Sequence, residues 1–381
     1  MILLYEYEAR ELFEKYGIPV EEAAPAFTAE EAYKAALEIT PPYVVKAQVL
    51  TTGRGKAGGV IAAETPEEVE EVSRKLLKAT IRGLPVRGVL VAHRVSIIRE
   101  LYLSVVLDRS LRRPVVLASR LGGVDVEEAA RRAPEEVLKV GLDPLVGLRH
   151  YVVLRVAKHL EVSESELSRI LEGIYAIFND YDCVMVEINP LAVTPDGLVA
   201  IDRRVLMDEA AATVNPKVKV YSERRLAELS REEREAKKWG FSYVPLNGDI
   251  GVVGNGAGLT MATMDLVASY GGRAACFLDI GGGASRDRVK AAVSLLLANP
   301  RVKVVLVNVL GGITRCDEVA QGVVDALREV GSRKPTVVRL AGTLEEKGRE
   351  ILAGAGIETL VSMEEAARRA VEVSSHGGLG Q

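Results

Sequence analysis

The first half of the chain mixes helical and strand-like hydrophobic patterns. Apolar side chains at Tyr5, Ala9, Leu12, Phe13 and Tyr16 recur at helical spacing and predict a helix over 5–16. Alternating or continuous apolar runs predict strands, and capped periodic runs predict helices. The predicted strands are 43–50, 60–63, 87–95, 100–107, 183–190 and 197–202, and the further helices are 65–79 and 163–179.

The second half has a more regular pattern, in which a strand, a glycine-rich loop and a helix follow one another repeatedly. Strands are predicted at 250–253, 274–278, 302–309 and 336–340, and Ser362 with Glu365 caps a last helix. This succession is typical of an open parallel sheet with helices on both faces. The loops then lie at the carboxyl ends of the strands, where such sheets bind ligands.

At 381 residues the chain is long for one hydrophobic core, which predicts two domains. The segment from 216 to 240 is charged and weakly patterned, although it is compatible with a helix. We therefore predict a first domain over 1–220, a linker over 221–240, a second domain over 241–374 and a disordered tail over 375–381.

The composition excludes several classes of protein. With 49 basic and 53 acidic residues the formal charge is −4, which argues against a nucleic-acid binder that works through bulk positive charge. No apolar run reaches the ~20 residues of a membrane span, and the amino terminus has no basic leader, so we expect a cytoplasmic protein without a membrane anchor. Three cysteines without CxxC spacing predict neither a disulfide framework nor a zinc site. Cys316 begins a predicted helix that could stabilise a thiolate, but a buried thiol is favoured.

The first candidate site is a glycine-rich loop, Gly53 to Gly59, that follows Lys46 on a strand. Glycines let backbone N–H groups approach a phosphate chain, and Arg54 and Lys46 add positive charge. The loop is not a Walker A motif, because Ala57 follows Lys56 where Ser or Thr belongs. It predicts a phosphate site, and the alternative is a mobile hairpin with solvated cations.

A second candidate lies in the predicted hairpin over 183–202. Glu187 and Asn189 share one face of the first strand, while the apolar residues between them face the core. A turn at 194–197 places Asn189 opposite Asp202, or one residue away if Gly197 forms a bulge. An Asp oxygen with an Asn carbonyl suits magnesium, which takes few protein oxygens besides phosphate and water. A cross-strand hydrogen-bonded pair is the alternative.

The third candidate is the group of glycine loops in the second half. Gly254-Asn255-Gly256-Ala257-Gly258 opens a helix, where amides and the helix dipole favour an anion. Leu259 stands where a dinucleotide-binding fingerprint needs glycine. Similar loops follow two other strands, which favours a ligand crevice. None of the chain's four histidines lies in a glycine loop, so no catalytic histidine is indicated.

Together these segments resemble the β subunit of succinate–CoA ligase, also called succinyl-CoA synthetase. The likeness runs nearly end to end, in YEYEARELFEKYGIPV, VVKAQVLTTGRGKAGGV, RELYLSVVLDRS, LDPLVG, VEINPLAVT, NGAGLTMATMD, FLDIGGGASRDRV and NVLGGITRCD. The resemblance implies an α/β chain with an amino-terminal ATP-grasp domain followed by a flavodoxin-like, doubly wound CoA-ligase domain.

The resemblance also implies an activity and a partner. The expected reaction is the reversible, nucleotide-driven and Mg²⁺-dependent formation of succinyl-CoA from succinate and CoA, a step of the citric acid cycle. An α subunit is expected to carry a phosphohistidine and most of the CoA site. The nucleotide is ATP/ADP or GTP/GDP, and the sequence does not choose between them.

Residue roles follow from the same resemblance, position by position. The nucleotide is expected at Lys46, Gly53, Arg54, Gly55 and Glu100, magnesium at Asn189 and Asp202, and the visiting phosphohistidine at Glu187. Succinate is expected at Asn255, Gly312, Ile313 and Thr314, and the transferring phosphate at the helix start Gly256, Ala257 and Gly258.

Three positions depart from the family pattern. Ala92 stands where a nucleoside-contacting glutamate is usual, Arg203-Arg204 follows Asp202 where a small residue and Lys are usual, and Thr314 replaces a common apolar residue.

The competing hypotheses are the β subunit of a malate–CoA ligase and a non-catalytic nucleotide sensor on the same fold. An NAD-dependent enzyme is the weakest of them, because Leu259 breaks the fingerprint.

Overall fold

The computed structural model describes residues 1–51, 53–123, 131 and 133–376. The chain forms two compact units, Met1–Arg225 and a second that begins at Leu226. The boundary lies inside the predicted linker 221–240. That linker is helical for most of its length, because helices occupy Pro216–Glu228 and Arg231–Lys238.

The first unit is built mainly from antiparallel strands. They are β1 (Ile2–Leu3), β2 (Ala23–Ala26), β3 (Tyr43–Gln48), β4 (Val60–Ala63), β5 (Thr80–Ile81), β6 (Leu84–Pro85), β7 (Gly88–His93), β8 (Arg99–Asp108), β9 (Arg113–Ser119), β10 (Val137–Gly141), β11 (Cys183–Thr194), β12 (Gly197–Ala200) and β13 (Arg203–Met207). One sheet has the order β1-β13-β11-β8-β9-β10 with β12 beside β11, a second has the order β2-β7-β3-β4, and β5 pairs with β6.

Helices cover these sheets and bury two cores. They are α1 (Glu6–Lys15), α2 (Ala29–Glu38), α3 (Pro66–Leu76), α4 (His150–Leu160), α5 (Glu164–Asp180) and α6 (Pro216–Glu228). Apolar side chains of α1, α4 and α5 pack on the larger sheet, and those of α2 and α3 pack on the four-stranded sheet.

Local signals explain where several helices begin. The Thr65 hydroxyl accepts the N–H of Glu68 at 3.3 Å, and Pro66 takes the first helical position of α3, as predicted. That helix ends at Leu76, three residues before the predicted end at Ala79. A capping box of Thr28 and Glu31 opens α2, which the hydrophobic pattern did not predict.

The second unit has a single six-stranded sheet in the order β14-β16-β15-β17-β18-β19. Its strands are β14 (Ser242–Pro245), β15 (Ile250–Gly254), β16 (Ala274–Asp279), β17 (Val304–Gly311), β18 (Thr336–Gly342) and β19 (Thr359–Leu360). All are parallel except the edge strand β14, which was not predicted. The parallel strands have the flavodoxin-like order, so the strand order reverses between β15 and β17.

Helices lie on both faces of this sheet, as predicted. They are α7 (Arg231–Lys238), α8 (Ala257–Ser269), α9 (Arg286–Ala298), α10 (Cys316–Val330), α11 (Glu345–Gly354) and α12 (Met363–His376). One core contains side chains of α9, α10 and α11, and the other contains those of α8 and α12. Ser375 and His376 of the predicted tail extend α12, and 377–381 lie outside the described residues. Within the described part of the chain, no helix combines the length and apolarity that crossing a membrane requires.

Candidate active site

Lys46 lies on β3 with a buried ammonium group. Its Nζ donates to Glu6 Oε1 and Glu21 Oε1, both at 2.9 Å, and to the carbonyl oxygen of Ile201 at 2.8 Å. Burial alone would lower the pKa of Lys46, but the carboxylates of Glu21 and Glu6 outweigh it and raise that pKa. Lys46 is therefore a charged group whose three donor positions are filled by acceptors of the protein.

Arg54, in the glycine loop, is also buried. Its Nη2 contacts Glu6 and donates to Asp202 Oδ1 at 2.8 Å, and its Nη1 donates to the Ala47 carbonyl at 3.3 Å. The loop closes on itself, because the N–H groups of Ala57 and Gly59 both donate to the Arg54 carbonyl. The loop is thus a defined turn anchored by Arg54, and its cation is not solvated as the alternative interpretation required.

The hairpin register places the two predicted magnesium ligands opposite each other. Thr194 pairs with Gly197 and Leu191 with Ala200, and the N–H of Asn189 donates to the Asp202 carbonyl at 2.9 Å. The register without a bulge at Gly197 is therefore correct. The second strand was predicted too long, because β12 ends at Ala200 and Asp202 lies in the bend before β13.

The residues at this bend fit a magnesium ion that is shared with phosphate. Asp202 keeps 45% of its side chain exposed, and the guanidinium of Arg54 already lies on its carboxylate, so the position attracts a cation. Asn189 Oδ1 accepts the N–H of Gly123 at 2.8 Å. Among the described residues, no three His, Cys, Asp or Glu side chains are grouped as a complete metal site. Two protein oxygens plus phosphate and water are what magnesium usually takes.

Glu187 is held by both of its carboxylate oxygens. Tyr102 donates its hydroxyl to Oε2 at 3.0 Å, and Arg204 forms an ion pair with Oε1 at 3.2 Å. Strand pairing explains this arrangement, since Glu187 lies opposite Arg204 on β13 and opposite Ser104 on β8. Burial and the neighbouring carboxylate raise the pKa of Tyr102, so its hydroxyl keeps its proton and remains a donor.

Glu100 lies at the start of β8 with an exposed side chain. Its carbonyl accepts the N–H of Gly122 at 3.0 Å, and its carboxylate lies against Gly123, which has a φ of +69°. Because Gly123 also donates to Asn189, this turn joins Glu100 to the magnesium candidates. Ala92 is fully buried on β7, so it offers no side chain in place of the usual glutamate.

In the second unit, Asn255 joins the ends of β15 and β17. Its Nδ2 donates to the Leu310 carbonyl at 2.9 Å, and its Oδ1 accepts the N–H of Leu310 at 2.9 Å. The side-chain amide thus bonds to both backbone polar groups of Leu310, across the point where the strand order reverses. Asn255 was expected to hold succinate, and both polar atoms of its side chain are bonded within the protein.

Thr314 connects three glycine loops. Its hydroxyl oxygen accepts Asn255 Nδ2 at 3.2 Å and the N–H of Gly283 at 2.9 Å, and the residue is buried. By contrast, Ile313 is 89% exposed, and a Cβ added at Gly312 would meet open space. The departure at Thr314 therefore links loops that sequence analysis could only expect to be neighbours.

The helix start was predicted to hold a phosphate with three amides. The N–H of Gly256 instead donates to Asp279 Oδ1 at 2.7 Å, as does the N–H of Gly281 at 2.8 Å. Ala257 and Gly258 begin α8, where amides have no intrahelical partner, and open space lies beside Gly258. Ala257 and Gly258 remain suited to an anion, whereas the Gly256 amide already has an acceptor.

Sequence analysis missed several polar residues of this site. Glu6, Glu21 and Arg203 surround Lys46, and Tyr102 orients Glu187. Glu6 had a usable signal, because it lies in the first turn of an amphipathic helix within a matching segment. Glu21 had none, since a single acidic residue in a loop is normally solvated.

Comparisons with known proteins match this architecture. The family model described as ATP-grasp domain matches residues 3–193, and the model described as CoA-ligase matches 253–373. The chain also resembles a solved ATP citrate lyase from Methanothrix soehngenii, with a TM-score of 0.73 at 20% identity, over 97% of this chain and 99% of that one. Fold and site therefore define an ATP-grasp domain followed by a CoA-ligase domain, as predicted.

The curated relatives are more specific. The succinate–CoA ligase (ADP-forming) subunit beta of Ignicoccus hospitalis is 50% identical over 375 residues, which is 97% of this chain and 99% of that protein. Proteins of the same name from Pyrobaculum arsenaticum and Chloroflexus aurantiacus are 50% and 45% identical, over 97% of this chain and 99% and 98% of theirs. The chain belongs to the family of succinate–CoA ligase β subunits.

Proposed function

We propose that this chain is the β subunit of a cytoplasmic, ADP-forming succinate–CoA ligase. Its first unit would bind magnesium and the nucleotide, and its second unit would bind succinate and phosphate. An α subunit would contribute the phosphohistidine and most of the CoA site. The names of relatives that are about half identical support the reaction and the nucleotide.

The nucleotide phosphates would be held by Lys46, Arg54 and the amides of Gly53 and Gly55. A phosphate at Arg54 would compete with Asp202, because Asp202 Oδ1 accepts a hydrogen bond from Nη2 of that guanidinium. Asp202 and Asn189 would then hold the magnesium ion. When bound, magnesium neutralises phosphate charge, which is the main requirement of phosphoryl transfer.

Glu187 would contact the phosphohistidine of the partner subunit. Tyr102 and Arg204 hold its two oxygens, so the carboxylate is fixed before the imidazole arrives. A fixed carboxylate can accept an imidazole N–H and stabilise the ring in the orientation that transfer needs. This contribution requires no movement of Glu187.

The second unit would bind succinate beside the exposed loop of Gly312 and Ile313 and place the phosphate at Ala257 and Gly258. Asn255 and Thr314 would act by holding that loop in shape. Helix-start amides stabilise a transferring phosphate because they point at it without rearrangement.

The observation that carries the proposal is the pairing of Asp202 with Arg54 opposite Asn189. We expect Asp202→Ala or Asn189→Ala to lower histidine labelling of the co-purified partner by at least about 100-fold with γ-labelled ATP. Both variants should remain folded by circular dichroism. Mn²⁺ binding in the presence of ADP, followed by electron paramagnetic resonance, should weaken in parallel.

Asp196→Ala is the matched control, because Asp196 is an exposed aspartate at the turn of the same hairpin. In this variant, histidine labelling of the co-purified partner should equal that of the wild type. Full labelling in Asp202→Ala would contradict the magnesium assignment. Preference of the complex for malate over succinate, or for GDP over ADP, would contradict the corresponding specificity.

A further inference from the structure

Arg203 is a buried residue for which the family resemblance offers no role. It follows Asp202 where a small residue is usual, and its side chain is 0% exposed, against 31% for the neighbouring Arg204. A fully buried guanidinium is retained only when acids compensate the cost of desolvation. Its partners therefore indicate what it does.

Those partners are the acids that hold Lys46. Arg203 donates to Glu21 with both terminal nitrogens, from Nη1 to Oε2 at 2.6 Å and from Nη2 to Oε1 at 2.7 Å. Nη2 also donates to Glu6 Oε1 at 3.0 Å, and Nη1 to the Ala200 carbonyl at 3.0 Å. The fork geometry matches a carboxylate in a way that a lysine cannot.

Lys46 and Arg203 share the same two oxygen atoms. Glu6 Oε1 and Glu21 Oε1 each accept one bond from Lys46 and one from Arg203. The two cations and two carboxylates therefore balance in charge. Arg54 adds a third cation, which is bound to Glu6 and to the half-exposed Asp202.

This charge balance determines how readily the Lys46 ammonium group can leave the two acids and bind a phosphate. Without Arg203, Glu21 would have Lys46 as its remaining ion-pair partner among the contacts described. Lys46 would then be held more tightly, and the uncompensated negative charge would oppose an incoming phosphate. With Arg203 present, each acid keeps a cation when Lys46 leaves.

We propose that Glu21 and Arg203 are positioning residues that act as a unit on Lys46. Glu21 fixes the ammonium group, and Arg203 weakens the hold of both acids enough for a nucleotide phosphate to compete. This inference rests on the proposed function, because it assumes that Lys46 binds nucleotide. It assigns a role to two residues that contact no substrate themselves.

The experiment compares single and paired charge removal in the purified complex with its α subunit. We expect Arg203→Met to raise the Kd for MgADP at least 10-fold, measured by calorimetric titration, which corresponds to about 1.4 kcal/mol. The neutral pair Glu21→Gln with Arg203→Met should restore the Kd to within about 3-fold of the wild type. The turnover number at saturating nucleotide should change little, so the effect appears in KM.

Arg203→Lys and the double variant carry the test if Arg203→Met does not fold. Arg203→Lys retains the charge but loses the bidentate contact with Glu21, so it should weaken MgADP binding by about 3- to 10-fold, whereas the double variant should stay within about 3-fold of the wild type. Wild-type affinity in Arg203→Met overturns the inference, as does a double variant at least 10-fold weaker than the wild type. Either result leaves the proposed function standing, whereas a wild-type complex that binds no MgADP overturns both.

Discussion

The buried acid Glu6 provides a direct test of the ion-pair network. Its side chain is 1% exposed and faces Lys46, Arg54 and Arg203. Replacing Glu6 with glutamine keeps the shape of the side chain but removes its charge. Three buried cations would then share Glu21 and Asp202, and the amide NH₂ would face at least one of them.

The expected loss of stability follows from this geometry. Removing one partner of a buried ion pair costs about 3–5 kcal/mol, and the retained amide oxygen places Glu6→Gln near the lower end. For a unit of this size, roughly 2–4 °C of Tm corresponds to 1 kcal/mol, so Tm should fall by about 6–12 °C.

The same network predicts a pH dependence. Burial by itself would raise the pKa of Glu6, but Arg54, Lys46 and Arg203 outweigh it and hold that pKa far below its ordinary value of about 4.5. Between the two values the unfolded chain binds a proton that the folded chain does not, so stability rises with pH. The contribution of Glu6 is complete above about pH 4.5 and is lost as the pH falls towards its depressed pKa.

Scanning calorimetry at pH 7 and pH 3 measures both effects. Glu14→Gln is the control, because Glu14 lies on the same helix in an exposed pair with Arg10 and should change stability by less than about 0.5 kcal/mol. The difference between wild type and Glu6→Gln should shrink at pH 3. Equal Tm values for the wild type and Glu6→Gln, or a difference between them that does not depend on pH, would refute the reasoning.

Three further predictions concern other parts of the molecule. Gly123→Ala places a Cβ on a backbone whose φ is +69°, so urea unfolding should show a loss of about 1–2 kcal/mol, and an unchanged midpoint would contradict this. Thr314→Val removes the oxygen that accepts from Asn255 Nδ2 and from the Gly283 N–H, so the free energy of unfolding should fall by about 1–3 kcal/mol and the KM for succinate should rise. Thr314→Ser should restore both values, and failure to do so would exclude the hydroxyl as the cause. Burial raises the pKa of Cys183, of Cys276 (to about 12) and of Cys316, so a disulfide reagent should titrate three thiols in denaturant and none rapidly in the native chain; a fast native thiol would contradict this.

Sequence reasoning succeeded where structure depends on neighbours along the chain. The repeating strand, loop and helix of the second half specify a parallel sheet, because each turn and cap is encoded locally. The hairpin is similar, since its turn placed Asn189 either opposite Asp202 or one residue away, and the structure has the first of these registers. The family resemblance added roles that spacing alone left undecided.

Sequence reasoning failed where the partners are distant. In the sequence Arg203 is only a departure next to Asp202, and nothing there points to Glu21. Their contact joins positions 182 residues apart, and the sequence near either residue does not predict it. The linker segment, which the sequence left compatible with a helix, is helical over Pro216–Glu228 and Arg231–Lys238, because a charged segment forms a stable helix when it has a surface to pack on.

By itself the sequence determined most strands of the second unit, the glycine loops and, to within one residue, the hairpin register, because these depend on backbone propensity and short-range hydrogen bonds. Only the tertiary structure decided which charges share a buried space. Lys46, Glu6, Glu21 and Arg203 come together because β3, the start of α1, the segment before β2 and the start of β13 pack around one point. Desolvation there makes each charge depend on the others, and that dependence is not visible in a linear pattern.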